Sequence, residues 1–286
     1  MKVSIITASF NYEQFIGQTI ESVQAQTFTD WEMIIVDDGS SDRSAEIIQE
    51  YAARDSRIRF FTHPDGKNHG LAATVQLGLQ KAEAPWVAFL ECDDIFMPTS
   101  IEEKLEAAEN YPQTALIFTD LEMFGERDES KEKYFEKLRP ALKKLTYPTS
   151  MVKEFFTRNP IPTFSVVMVR KELLQKCDFT PLYPPWLDYW LWVQLAHYPY
   201  FFIDKPLTRW RVHQDSYLNR KKLDQKLYQK QISLFEKRLL KKVPWGFWGN
   251  YWLRKFKEKL RKFRQSIISI NLGRRRIIFL TKEWKW

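Results

Sequence analysis

An α/β fold with a mostly parallel sheet is predicted from three features of the chain. Short, uncharged, strand-like runs alternate with segments whose apolar residues recur at helical spacing. The stretches between successive strands are long enough to be right-handed crossovers. Acidic residues gather where two of the runs end, and that is where open α/β sheets hold their ligands.

In chain order, residues 2–8 form an apolar β run with Val3, Ile5 and Ile6, closing on the polar loop Ser9-Phe10-Asn11-Tyr12. Phe15, Ile16, Ile20 and Val23 then recur at helical spacing through Gln26. Residues 31–36 read as a second buried strand, ending on Asp37-Asp38-Gly39-Ser40-Ser41-Asp42. Ser41 or Asp42 is placed to cap a helix running to about Arg54. A strand over 58–62, a loop with Pro64, Gly66 and Gly70, and a helix over 71–81 follow. The uncharged run Trp86–Leu90 reads as a strand buried on both faces. Beyond it, Thr99 or Ser100 caps a helix, and residues 115–120 form a strand. Residues 125–150 are densely charged without deep periodicity and read as an exposed, partly mobile segment. Residues 161–169 and 201–203 read as further strands, and 185–196 as a helix with Leu187, Trp190, Leu191, Gln194 and Leu195 aligned.

Three acid clusters carry the chemistry. Glu91, Asp93 and Asp94 follow the buried Trp86–Leu90 run. Glu91 and Asp93 share the period of two that points side chains the same way if the strand continues. Such a cluster repels itself unless a proton or a cation relieves it, and oxygen donors suit Mg²⁺ or Mn²⁺ with substrate phosphates completing the shell. Asp94 reads equally well as a member of this cation-binding cluster and as an ordinary residue, in a solvated loop or capping a helix before Pro98. Asp37 and Asp38 end the second strand, where a carboxylate can accept from a ribose or a base N–H. Asp188 stands at a helix start among aromatic residues, placed either as a dipole-favoured cap or as a poorly solvated general base. Neither a P-loop nor a Gly-x-Gly-x-x-Gly fingerprint occurs.

The bulk properties set bounds. The chain of 286 residues, 44% hydrophobic, suits one large domain with an appendage. Two cysteines give no disulfide framework, so a reducing, cytoplasmic setting is expected. The opening apolar run is too short for a signal peptide, and no run is long enough to span a bilayer. From Arg220 to Trp286 the chain carries 21 Lys and Arg against 4 Asp and Glu, a net of +17. The other 219 residues net −9. A mildly acidic domain over 1–217 is therefore followed by a basic, aromatic-rich helical extension over 218–286.

Several of these stretches together resemble family 2 glycosyltransferases. They are Val3–Asn11, Glu21–Phe28, Trp31–Asp42, Asn68-His69-Gly70-Leu71 and Phe89–Asp94. The likeness runs over about residues 1–215 and is specific in combination. It implies the GT-A fold, with a Rossmann-like nucleotide-binding sheet, and transfer with inversion from a nucleotide-sugar, a UDP-sugar being favoured. It implies that Thr7, Ser9, Tyr12, Asp38, Asn68, Glu91 and Arg211 bind the donor, and that Asp93 and His213 hold Mn²⁺ or Mg²⁺. By the same match, Asp188 deprotonates the acceptor hydroxyl, and residues 125–150 lie on the acceptor side. The acceptor implied is a carbohydrate or a lipid-linked sugar in cell-surface polysaccharide or glycolipid synthesis. Two positions depart from the pattern. Glu91 stands where the family has Asp, and Val75-Gln76 where it often has Arg-Asn, with Lys67 as the cation placed to compensate.

In the extension, Leu223, Leu227, Ile232 and Phe235 form one helical face, and Phe256, Leu260 and Phe263 recur among cations. Such a pattern suits an anionic membrane surface, which places the protein peripherally on the inner face of the cell membrane. The alternatives are a tail helix packed on the catalytic domain and, for the whole chain, a membrane-associated scaffold with a degenerate transferase domain. Nucleic acid fits the charge but not the fold.

Overall fold

The computed structural model describes residues 2–181, 184–214, 216 and 225–240. By compactness the chain divides into Met1–Leu239 and Leu240–Trp286, and the second unit, apart from Leu240, lies outside the described residues. The first unit therefore takes in the beginning of the extension.

A nine-stranded sheet forms its centre. The strands are β1 (Val3–Ser9), β2 (Trp31–Asp37), β3 (Ile58–Thr62), β4 (Trp86–Phe89), β5 (Ile95–Phe96), β6 (Leu116–Gly125), β7 (Thr149–Ser150), β8 (Val167–Arg170) and β9 (Pro199–Val212). Their order is β3-β2-β1-β4-β8-β6-β9-β5, with β7 paired to β9. The first four in that order run parallel, as the crossovers require. Beyond β4 the sheet is mixed: β8 is antiparallel to β4 and β6, while β6 and β9 are parallel.

Helices α1 (Ile16–Gln24), α2 (Ser44–Arg54), α3 (Leu71–Lys81) and α4 (Ser100–Asn110) flank this sheet. Ile16, Ile20, Val23, Ile48, Ile101 and Leu105 share one core with Val3, Ile5, Met33 and Ile35. Helix α3 takes the other face, where Gly78 is needed because a Cβ there would stand 2.6 Å from the Ile6 side chain. Thr99 stands at the N-cap of α4 as expected, while the N-cap of α2 falls at Arg43, past the expected Ser41 or Asp42. Helix α2 starts at Ser44, whose N–H donates to Asp42 Oδ1 at 2.9 Å.

Three expectations for the second half are corrected. Residues 125–150 are not one exposed segment: Glu129–Lys143 form helix α5, capped by Asp128 and burying Phe135, Leu138 and Leu142. That spacing of three and four was present beneath the charge. The strand expected over 161–169 begins only at Val167 and follows a 3-10 turn at Phe164–Val166. Pro160 and Pro162 explain the delay, because proline cannot donate to a central ladder. The short strand expected over 201–203 is part of β9, which continues without interruption to Val212. Pro206 made it read as broken. It pairs with Asp120, where the β6–β9 register slips, the one kind of place a strand tolerates proline.

Helices α6 (Val152–Thr157), α7 (Lys171–Leu174) and α8 (Leu187–Leu195) complete the sheet's surroundings. Helix α9 (Gln225–Leu240) follows, with Gln231 and Phe235 buried. No described helix is long and apolar enough to cross a membrane.

Candidate active site

A cavity of about 430 Å³ opens at the carboxyl ends of β1, β2 and β4. The lining residues include Asp38, Asp93 and Asp188, so the three acid clusters of the sequence meet in one hollow. Ser9, Tyr12, Asn68, Glu91 and Arg211 line it as well. Thr7 does not. Pleat alternation puts Ile6 and Ala8 on the cavity side of β1 and turns Thr7 to the opposite face, where it is fully buried.

The wall around Asp38 is held by backbone. Asp38 is buried, and its two oxygens accept from the N–H groups of His69 and Gly70 at 2.7 and 2.9 Å. Its own N–H donates to Ser9 O at 2.8 Å. The carboxylate therefore ties the 66–70 loop, which carries Asn68, to the end of β2. Gly39 allows this approach. Its φ is +76°, and a Cβ there would meet Asn68 N, Gly66 O and Lys67 C at 2.9 Å. Ser9 belongs to the lining, and its hydroxyl is buried without a hydrogen-bond partner among the described residues.

Glu91, Asp93 and Asp94 lie on a turn and not on a continued strand. β4 ends at Phe89, and Asp94 N–H donates to Glu91 O at 3.1 Å. Thr19 of α1 pins the turn by donating to Cys92 O at 3.0 Å and Asp94 O at 2.9 Å. Asp94 is 0% exposed and structural. It accepts from Ser165 Oγ at 2.6 Å and from Arg211 N–H at 2.9 Å, joining β9 and the 3-10 turn to the acid cluster. Glu91 accepts from the Thr163 hydroxyl. Burial, and next the Asp93 charge, push the Glu91 and Asp94 carboxyls upward.

Asp93 Oδ2 stands 2.9 Å from His213 Nε2. Arg211 Nε donates to Asp93 O at 2.8 Å, and its guanidinium is sandwiched 4.4 Å from both the Phe15 and the Phe124 ring centroids. The His213 ring packs against Phe15 at 4.9 Å and Tyr12 at 5.9 Å. No group of three or more metal-ligating side chains occurs among the described residues. His213 is not among the lining residues, but its Nε2 contact with Asp93 Oδ2 brings a nitrogen and an oxygen donor together next to the Glu91 and Asp94 carboxyls. That set fits Mg²⁺ or Mn²⁺ when phosphate oxygens supply the remainder.

Asp188 sits in the first turn of α8, half-buried, with Oδ1 accepting from Tyr189 N–H at 2.6 Å. Loss of hydration pushes its carboxyl up to about 7. Lys67 is exposed and absent from the lining, and Val75 lines the cavity as an apolar residue. Among the described residues, the cations that face the cavity are Arg211 and Lys131. Sequence reasoning missed Lys131. It lies on α5, with Nζ 4.5 Å above the ring of Trp210, another lining residue. The Asp128 cap and the 135/138/142 stripe were the signals that could have placed it on a helix.

The family model described as "Glycosyl transferase family 2" matches residues 4–177. The chain is 29% identical over 231 residues to an uncharacterised glycosyltransferase of Methanocaldococcus jannaschii, covering 79% of this chain and 76% of that one. It is 39% identical over 104 residues to the putative teichuronic acid biosynthesis glycosyltransferase TuaG of Bacillus subtilis, 36% of this chain and 40% of the relative. Among solved structures, S. aureus TarS 1–349 in complex with UDP-GlcNAc superposes with a TM-score of 0.61 at 16% identity, over 82% of this chain and 66% of that one. A mannosyltransferase of Pyrobaculum calidifontis in complex with GDP-Man and Mn²⁺ gives 0.57 at 12%, over 83% and 69%. At these identities the structural likeness speaks for the fold alone.

Proposed function

The chain belongs to glycosyl transferase family 2, a family of sugar-transferring enzymes, and on that premise we propose that it transfers a sugar from a nucleoside diphosphate donor to an acceptor hydroxyl with inversion. The observation that carries the proposal is that Asp38, Asp93 and Asp188 share one cavity. The nucleoside lies along Ser9, Asp38 and Asn68, where the backbone-tied 66–70 loop presents polar atoms. The diphosphate lies towards Asp93, His213 and Arg211. When bound there, Mn²⁺ or Mg²⁺ would neutralise charge on the leaving diphosphate.

Asp188 takes the proton from the acceptor hydroxyl. The acceptor oxygen then bonds to the anomeric carbon from the face opposite the diphosphate, whose C–O bond breaks with both electrons. A base poised near 7 is matched to neutral operation, the condition under which general-base catalysis contributes most. Arg211 is preorganised by its two rings and its bond to Asp93 O, so it stabilises the departing charge without rearranging. A shared cavity of this kind favours turnover over the scaffold reading.

A UDP-sugar donor is supported by the likeness to TarS, solved with UDP-GlcNAc, and a role in cell-surface polymer synthesis by the likeness to TuaG, a putative teichuronic acid biosynthesis enzyme. Peripheral attachment to an anionic membrane rests on the net charge of the extension, most of which lies outside the described residues.

Asp188→Asn tests the base: kcat for transfer should fall about 10²–10⁴-fold with UDP affinity unchanged. Transfer near the wild-type rate overturns the assignment. Calorimetric titration of UDP with and without Mn²⁺ tests the metal. The Mn²⁺-dependent gain in affinity should vanish in Asp93→Ala, and a gain that survives removes Asp93 from the metal site. Full-length protein should sediment with phosphatidylglycerol vesicles and not with neutral ones. Equal sedimentation with both ends the membrane reading.

A further inference from the structure

We infer that Phe235, a residue of the C-terminal extension, is a positioning residue for Asp188, so that α9 belongs to the catalytic apparatus. This rests on the reading of Asp188 as the base. Phe235 is 2% exposed and sits in a box of three rings. Trp186 stacks on it with planes 6° apart and centroids at 6.1 Å. Tyr189 meets it edge-on at 4.5 Å, and Trp190 lies tilted at 5.5 Å. These three residues flank Asp188 on both sides in the chain. Pro185 and Asp188 turn to the cavity, while the box turns to α9.

The same turn is fixed from its other side. Tyr189 Oη donates to Phe155 O at 2.9 Å, and its ring packs on Phe155 at 5.4 Å. The start of α8 is thus clamped between α6 and α9. A short first turn carrying one carboxylate has few local means of holding its direction, since its side chain bonds only to the adjacent N–H. Ring packing supplies both the direction and the exclusion of water. Among the described residues, the charged groups that share the cavity with Asp188 are Glu91, Asp93, Lys131, Arg211 and Asp38, and none belongs to α9. The described α9 lysines Lys226, Lys230 and Lys237 are exposed. What the described side chains of α9 supply to the start of α8 is packing and shielding from water.

The test compares full-length wild type, Phe235→Ala, Phe235→Leu and Asp188→Asn, each checked for folding by thermal melt. Transfer is followed as UDP release across pH. In Phe235→Ala, water reaches the base, so the acid limb of kcat should move down by about one pH unit. Its kcat should fall about tenfold or more, with donor KM within about twofold. Phe235→Leu should recover most of both. The Asp188 carboxyl, read by ¹³C NMR against the Asp188→Asn spectrum, should titrate lower in Phe235→Ala than in wild type. An unchanged acid limb and an unchanged Asp188 titration in a folded Phe235→Ala overturn the inference. If Asp188→Asn still transfers, the base reading fails instead, whatever Phe235 does.

Discussion

Where the chain runs from β1 to β4, the polar groups of the cavity are held by peptide N–H and C=O groups. Where it runs from β6 to α9, they are held by rings. Asp38 is fixed by two backbone donors and the acid turn by Thr19, and Gly39 gives the 66–70 loop its room. On the other wall, Lys131 lies over Trp210, Phe135 meets Trp210 edge-on, and Asp188 is flanked by residues packed around Phe235. The two methods suit different tasks. A wall set by backbone geometry is left intact by most side-chain changes. A wall made of side chains can be altered one residue at a time.

This contrast is broken most sharply at Gly39. Gly39→Ala forces a side chain into the left-handed region and against three backbone atoms, so it should cost about 1–3 kcal/mol from conformation alone and more from the contacts. Denaturant unfolding and UDP calorimetry should fall together. Unchanged UDP affinity would mean that the loop is not set by its backbone.

Lys104 of α4 sharpens the comparison, because its amine is held by neither ladder nor network. It is fully buried, its Nζ has no hydrogen-bond partner and faces the Phe96 ring at 4.4 Å. Burial lowers its pKa from 10.5 to about 7. The unfolded chain therefore holds more protons between those two values, and stability should rise with pH across that window. Lys104→Met should flatten the rise and stabilise the protein at pH 7 by about 1–3 kcal/mol. A melting temperature that falls from pH 7 to pH 9 in wild type alone would contradict the assignment.

The smallest effect is expected at Asp128, which caps α5 by accepting from Ser130 and Lys131 N–H. Asp128→Ala should cost about 1 kcal/mol, read as a loss of about 2–4 °C in melting temperature. UDP affinity should hold, since α5 serves the ring-built wall. A drop in UDP affinity would place Lys131 on the donor instead.

The donor half was legible because its signals are local. Strand runs, helical spacing and acids at strand ends all lie within a few residues of one another, and the first four strands fell where their patterns placed them. The second half was less so. Pro206 hid the continuity of β9, Pro160 and Pro162 delayed β8, and a charged surface masked the buried stripe of α5. Lys67 was a reasonable replacement for a missing cation by sequence proximity, yet Lys131 faces the cavity.

By itself the chain determined an α/β sheet, the three acid clusters and the family they resemble, because periodicity and turn chemistry act between near neighbours. Only the tertiary structure decided that those clusters share one cavity, that Thr7 turns away from it, and that Phe235 closes around the start of α8. Those outcomes depend on contacts such as Glu91 with Thr163, 72 residues apart, and Asp93 with His213, 120 apart. At such separations the packing of the whole core, and not any local pattern, chooses which side chains meet.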